Sequence, residues 1–282
     1  MQSGTYTETL TRLKAQKTSR AELGVKVLMW VVYSERPLRA EELGHALGVE
    51  IGSPDLDYAY VPPLQTLLSS CLGLVTVEGS SSTLRLVHYT LREHLLNNPT
   101  LFHSPHSTIA EVCLTYLNFR SVRDLSPILP SAPSTMPLLE YASLYWGEHT
   151  RMGMTENVKA LALRLLDRFD EHISAQLLLL HHRCDIYLGL YSMEGGPRGF
   201  TGLHGVVFLG IVELVAPMLE LEKWDVNAAK YIGGTALGLA AQRGQERVVK
   251  AFLERKEVNP NLGDTKYGRT PLWLAARNGY EG

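Results

Sequence analysis

The chain has 282 residues, 45% of them hydrophobic and 20% charged, and a formal net charge of −2, enough to bury the cores of two or three compact units. No bulk surplus of Lys and Arg draws it to nucleic acid or to an anionic membrane, so either would need a local patch. Cys71, Cys113 and Cys184 lie far apart, with no paired spacing for zinc or a redox disulfide, and read as reduced thiols of an intracellular, cytoplasmic protein.

The N-terminal "MQSGTYTETLTRLKAQ" is polar and has no apolar core of a secretory signal. Three short amphipathic helices are then predicted. Leu23, Val27, Trp30 and Val31 share one face, Leu43, Ala46 and Leu47 mark the second helix, and Leu64, Leu67, Leu68 and Cys71 mark the third. Two β-prone runs, "LGLVTVE" and "TLRLVHYT", follow, joined by a loop at Gly79 to Ser82. A fourth helical run, "LREHLLN", ends before Pro99. Three helices and a hairpin are the plan of a winged helix, assigned to residues 1–100.

Residues 101–192 read as a helical connector bundle. In "STIAEVCLTYLNF", Ile109, Val112, Cys113, Tyr116 and Leu117 share a face, with Ser107 or Thr108 as the expected N-cap. "LSPILPSAPSTMP" is a loop, and "LLEYASLYWGEH", "NVKALALRLLDRF" and "SAQLLLLHHRCDIYL" are further helical runs. "MEGGPRG" supplies a linker at 193–199.

From residue 200 the chain repeats itself. "TGLHGVVFLG", "TALGLAAQRG" and "TPLWLAARNG" begin at Thr201, Thr235 and Thr270, steps of 34 and 35 residues, and "WDVNAA" returns approximately as "KEVNPN". This pattern resembles the ankyrin repeat, whose period is about 33. The resemblance implies that Thr opens each first helix, that Ala240-Ala241 and Ala275-Ala276 allow close packing, and that Gly244 and Gly279 end the helix with positive φ. The first copy departs, with Gly202 for Pro and Val206-Val207 for the Ala pair, so it is expected to pack less tightly, as a cap against the bundle. The family's His remains only as His204, replaced by Gly238 and Trp273 in the other copies. About two and a half repeats are present, so the solenoid is expected to be incomplete at the C-terminus and to continue in a longer array.

The apolar stretch Gly202 to Leu221 is about long enough to span a bilayer, but the repeat register accounts for it, and no membrane segment is expected.

The N-terminal region carries a second resemblance. "VLMWVVYSERPLRAEELGHALGVE", "SSCLGLVTVEG" and "LRLVHYTLREHLLNN" resemble the winged helix that follows the NTPase core of fungal NACHT-type signalling proteins, a domain also named from GPI inositol-deacylases. In that family a helical region similar to "AEVCLTYLNF" and "LLEYASLYWGEHT" leads into ankyrin repeats. The family pattern in "VHYTLREHL" is met by His88, Thr90 and Glu93. In related NTPases that histidine reaches the phosphate of bound ADP; here a cap on the helix after the wing is the expected role.

Other chemistry is poorly supported. No GxxxxGK[ST] string is present to cradle phosphates, and no GxSxG elbow is present for a deacylase. "HHRCD" at 181–185 puts Cys beside His on an apolar run without a third, orienting group. The third helix of the winged helix has no Lys or Arg, and residues 1–100 hold nine basic and ten acidic side chains, so nucleic-acid binding is not expected.

The expected protein is mainly α and non-enzymatic, without metal or cofactor. It is read as an interaction or sensor module of a NACHT-ankyrin type signalling protein. Its partner is expected at Gln242, Arg243, Tyr267, Arg269, Arg277 and Asn278, by the hairpin tip and the concave face. The alternative is a regulatory subunit acting in trans on a NACHT-type NTPase through His88, and the third reading is a winged-helix DNA-binding regulator. Titration with labelled ATP and ADP should show no binding at micromolar concentration. Micromolar binding abolished by His88→Ala would establish a nucleotide site instead.

Overall fold

A computed structural model describes residues 2–79, 82–182, 197, 199–221, 224–229 and 234–281. Four helices precede the hairpin, one more than the sequence pattern predicts: α1 (Gln2–Lys14), α2 (Thr18–Tyr33), α3 (Ala40–Gly48) and α4 (Leu64–Ser70). The extra one, α1, is polar and buries little more than Leu10 and Leu13, too few apolar positions to set a period. Strands β1 (Val75–Glu78) and β2 (Thr83–Leu86) pair antiparallel, with Val75 opposite Leu86. The segment before α3 adds to the far edge of β2 through Leu84 N–H to Leu38 O and Ala40 N–H to Ser82 O, each 2.9 Å. Helix α5 (Tyr89–Leu96) then packs back on α2 and α1.

Helix α3 starts on a buried carboxylate. Glu42 is fully buried, accepts the Arg39 backbone N–H at 2.7 Å, and takes Arg36 through both guanidinium nitrogens at 2.9 and 2.7 Å. Burial pushes its pKa up, but the bonds from Arg36 and Arg39 outweigh this and hold it below the ordinary value.

The bundle contains α6 (Pro105–Leu117), the short α7 (Arg120–Arg123), α8 (Leu138–Met152), α9 (Glu156–Leu166) and α10 (Ile173–His181). Helix α6 begins at Pro105, ahead of the expected cap at Ser107 or Thr108. Pro105 takes the first helical turn, where its missing N–H costs nothing, and neither hydroxyl caps the helix. Residues 183–196 and 198 lie outside the described set, with Cys184 and most of the predicted linker. Cys71 and Cys113 are free and buried.

Tyr141 of α8 joins the bundle to the winged helix. Its ring meets Trp30 edge-on at 6.0 Å and lies 5.4 Å below the Arg36 guanidinium. Its hydroxyl accepts the Glu35 N–H at 3.1 Å and lies 2.9 Å from His149 Nε2, while His149 Nδ1 lies 3.0 Å from His106 Nδ1. With both histidines neutral, the partners are satisfied when the Tyr141 O–H donates to His149 Nε2 and the His149 Nδ1–H donates to His106 Nδ1, or when both bonds run the other way and the Tyr141 O–H turns to Ser34.

Residues 202–221 form no single span. Helices α11 (Gly202–Leu209) and α12 (Val212–Glu220) are separated by Gly210 at φ 68°, and no helix among the described residues is long and apolar enough to cross a membrane. Helices α13 (Ala236–Gln242), α14 (Glu246–Leu253) and α15 (Pro271–Arg277) continue the array. As expected from its valine pair, α11 packs less closely on α13 than α13 does on α15, although Val206 and Val207 are fully buried. Gly202 lets α11 sit close to the end of α9, since a Cβ there would lie 2.4 Å from the Leu166 carbonyl oxygen.

Burial holds His149 at about 3 and His172 and His204 at about 4, and lowers His106 as well. An unfolded chain protonates these groups near their ordinary value of about 6.5. Below that pH the unfolded state binds more protons, so stability falls as pH drops towards the folded values. Each strongly shifted histidine contributes up to about 1.4 kcal/mol per pH unit in that window. The urea midpoint should therefore decline from pH 7 to pH 5, above the range where Glu42 titrates, and His149→Asn should make the decline shallower. A flat profile would contradict the neutral histidine chain.

Candidate interaction surface

The three copies share local chemistry. Thr235 Oγ accepts the Gly238 N–H at 3.0 Å, and Thr270 Oγ accepts the Trp273 N–H at 3.3 Å. In the first copy the Thr201 hydroxyl instead lies 2.8 Å from His204 Nδ1. His204 Nε2 donates to the Gly234 carbonyl of the next copy at 3.2 Å, so the histidine spans two repeats as a buried neutral ring. Each first helix ends at a left-handed glycine, Gly210, Gly244 and Gly279, with φ of 68, 64 and 76°. The next residue's N–H returns to the chain five positions earlier, as in Gln245 to Ala240 and Tyr280 to Ala275.

Polar side chains stitch the copies together. Gln245 Nε2 donates to Val207 O at 2.8 Å, and Arg243 donates to Phe208 O at 3.2 Å with its guanidinium 4.1 Å over the Phe208 ring. Asn227 donates its amide to Glu257 O at 2.7 Å and accepts the Asn259 N–H at 2.7 Å. The recurrence of "VN" in the two connecting segments is the sequence trace of this link, unread as a function because the partner backbone lies 32 residues on.

The predicted partner residues fall into two sets. Tyr267, Arg269 and Arg277 come together with Trp273: the Arg269 guanidinium lies 4.0 Å from the Tyr267 ring and 4.8 Å from Trp273, and Arg277 lies 5.4 Å from Trp273. The Asp264 carboxylate sets the hairpin tip by accepting the Lys266 and Tyr267 N–H groups. Gln242, Arg243 and Asn278 are exposed but linked to the stack, since Asn278 Nδ2 donates to Leu274 O at 2.9 Å and Gln242 O at 3.2 Å. Trp273, absent from the expected set, completes the aromatic-arginine ladder. Among the described residues, Arg269 and Arg277 pair with no carboxylate.

His88 stands apart from this surface. It is exposed at the N-cap of α5, its Nδ1 accepting the Thr90 N–H at 3.2 Å and lying 2.8 Å from the Thr90 hydroxyl.

The last helix is poorly covered. Leu272 is 78% exposed and Trp273 44%, whereas Ala240 is fully buried. Hydrogen exchange should therefore open residues 263–281 first, while Ala240 and Ala241 stay protected, and adding a following repeat should slow exchange in α15. Equal protection of the two helices would show that the third copy is already a finished cap.

The sequence matches two domain families. Residues 10–110 match the GPI inositol-deacylase winged helix domain, a stretch reaching into α6. Residues 203–282 match ankyrin repeats in three copies. The chain is 34% identical over 131 residues to the E3 ubiquitin-protein ligase XBAT33 of Arabidopsis thaliana, covering 46% of this chain and 24% of that protein. The match thus spans about a quarter of that relative's length. No solved structure matches the chain. The chain therefore carries a GPI inositol-deacylase-type winged helix domain and ankyrin repeats, and the repeats support a protein–protein interaction module.

Proposed function

We propose that this chain is a non-enzymatic module that holds a protein partner on its ankyrin face, within a cytoplasmic signalling protein of the NACHT-ankyrin type. The ladder of exposed Tyr267, Trp273 and Arg277 with half-buried Arg269 carries the reading. A guanidinium stacked on a ring keeps its in-plane N–H donors available, and aromatic and Arg side chains dominate the anchoring of protein interfaces. The order of winged helix, helical connector and repeats supports the NACHT-ankyrin setting. The domains proposed are 1–100, 101–192 and 200–282, joined by a linker at 193–199. The ligase activity in the name of the Arabidopsis relative is not carried over, because the match covers 24% of that protein.

A second reading rests on His88, whose exposed ring uses Nδ1 for the helix cap and leaves Nε2 without a hydrogen bond among the described residues. That nitrogen could serve a phosphate bound to an NTPase acting in trans.

Affinity capture followed by quantitative mass spectrometry should identify a protein whose recovery falls about tenfold or more on Arg269→Ala or Trp273→Ala, with the circular dichroism of the chain unchanged. An identical set of captured proteins for wild type and both variants would count against the ankyrin face.

A further inference from the structure

A cavity of about 210 Å³ lies outside the repeats, where the α3–α4 connection meets the α6–α7 corner and the proline-rich loop. It is lined by the almost wholly buried Tyr116 and Phe119, by half-buried Leu56, Met136 and Asp55, and by the exposed Tyr58. The space is below the usual range of about 300–1,000 Å³ for cofactor-sized ligands. It suits one side chain or one small head group.

Its lining is both aromatic and anionic. Three aromatic rings, Tyr58, Tyr116 and Phe119, line the space, and Tyr116 and Phe119 are 5.3 Å apart between ring centres. The Asp55 carboxylate is fixed through a single oxygen: its Oδ1 accepts the Ser121 N–H at 2.9 Å and the Ser121 hydroxyl at 2.6 Å. Its Oδ2 has no hydrogen bond among the described residues. No Lys or Arg lines the cavity. His45 stands behind it, with its ring edge-on to Tyr58 at 5.7 Å and Nδ1 3.3 Å from the Tyr116 hydroxyl. Burial lowers the pKa of His45 and raises that of Tyr116, so neither adds charge near neutral pH.

Aromatic faces attract a cation through their quadrupoles, and a carboxylate adds a full negative charge beside them. The apolar part of the lining favours a cation that carries methylene or methyl groups over a hydrated metal ion. We propose that this cavity binds an alkylammonium group, either the side chain of a lysine or methyl-lysine in a protein partner or a choline-type quaternary amine. It is independent of the ankyrin reading, because none of its lining residues belongs to the repeats.

The test is a methyl-resolved NMR titration of the whole chain. The probes are choline, its neutral isostere 3,3-dimethylbutan-1-ol, and glycine-flanked peptides carrying lysine or trimethyllysine. Choline should shift the methyl signals of Leu56 and Met136, and the neutral isostere should bind about tenfold more weakly. Asp55→Asn retains an amide oxygen for Ser121 and should weaken choline about tenfold, as should Tyr58→Ala at its exposed position. Tighter binding of a peptide than of choline assigns the site to a protein side chain, and the reverse assigns it to a free amine. The proposal is overturned if no probe shifts these signals at millimolar concentration, if the neutral isostere binds equally well, or if choline binding survives both substitutions.

Discussion

The protein depends most on a polar contact that has been taken out of water, at Tyr141. Its hydroxyl receives the Glu35 N–H and its ring carries Arg36 and Trp30. Arg36 in turn neutralises the buried Glu42 that starts α3. Removing any member would leave a buried donor, acceptor or charge without its partner, which is why such junctions act as a unit. The winged helix and the bundle therefore share one continuous core.

The same helix carries the repeats. Gly147 of α8 lies against Leu209 of α11, and Gly202 lets α11 approach the α9 backbone. The first ankyrin copy is thus capped by protein on its N-terminal side. Each later copy is held by the one before it through Arg243, Gln245, Asn227 and Asn278. Cover declines along the stack, from buried Val206 to exposed Leu272.

This gradient has a functional side. Side chains that stitch repeats are poorly placed to serve a partner, because their donors are already engaged. Those at the hairpin tip and the last helix face outward, and stacking limits their freedom before any partner arrives, which reduces the entropy lost on binding. Arg243 and Asn278 are of the first kind and Tyr267, Arg269 and Arg277 of the second, so the positions just before the turn glycines, expected to share one role, divide between the two.

The sequence by itself determined what local periodicity encodes: the apolar faces of α2, α3, α4 and α6, the helical run of α5, the hairpin, and three copies of Thr, a packed pair and Gly at steps of 34 and 35 residues. These follow from side-chain spacing and from the φ that glycine allows, both properties of a few neighbouring residues. The helix at 2–14 was missed because two buried leucines set no period. Only the tertiary structure decided why Gly202 stands where the family has Pro, why Asn227 recurs as Asn259, and that Tyr141, His149 and His106 form one chain. It also decided that Asp55 and Tyr116, far apart in sequence, line one cavity. Each of these depends on a backbone or ring brought in from a distant part of the chain, and a residue's neighbours in sequence carry no record of such a partner.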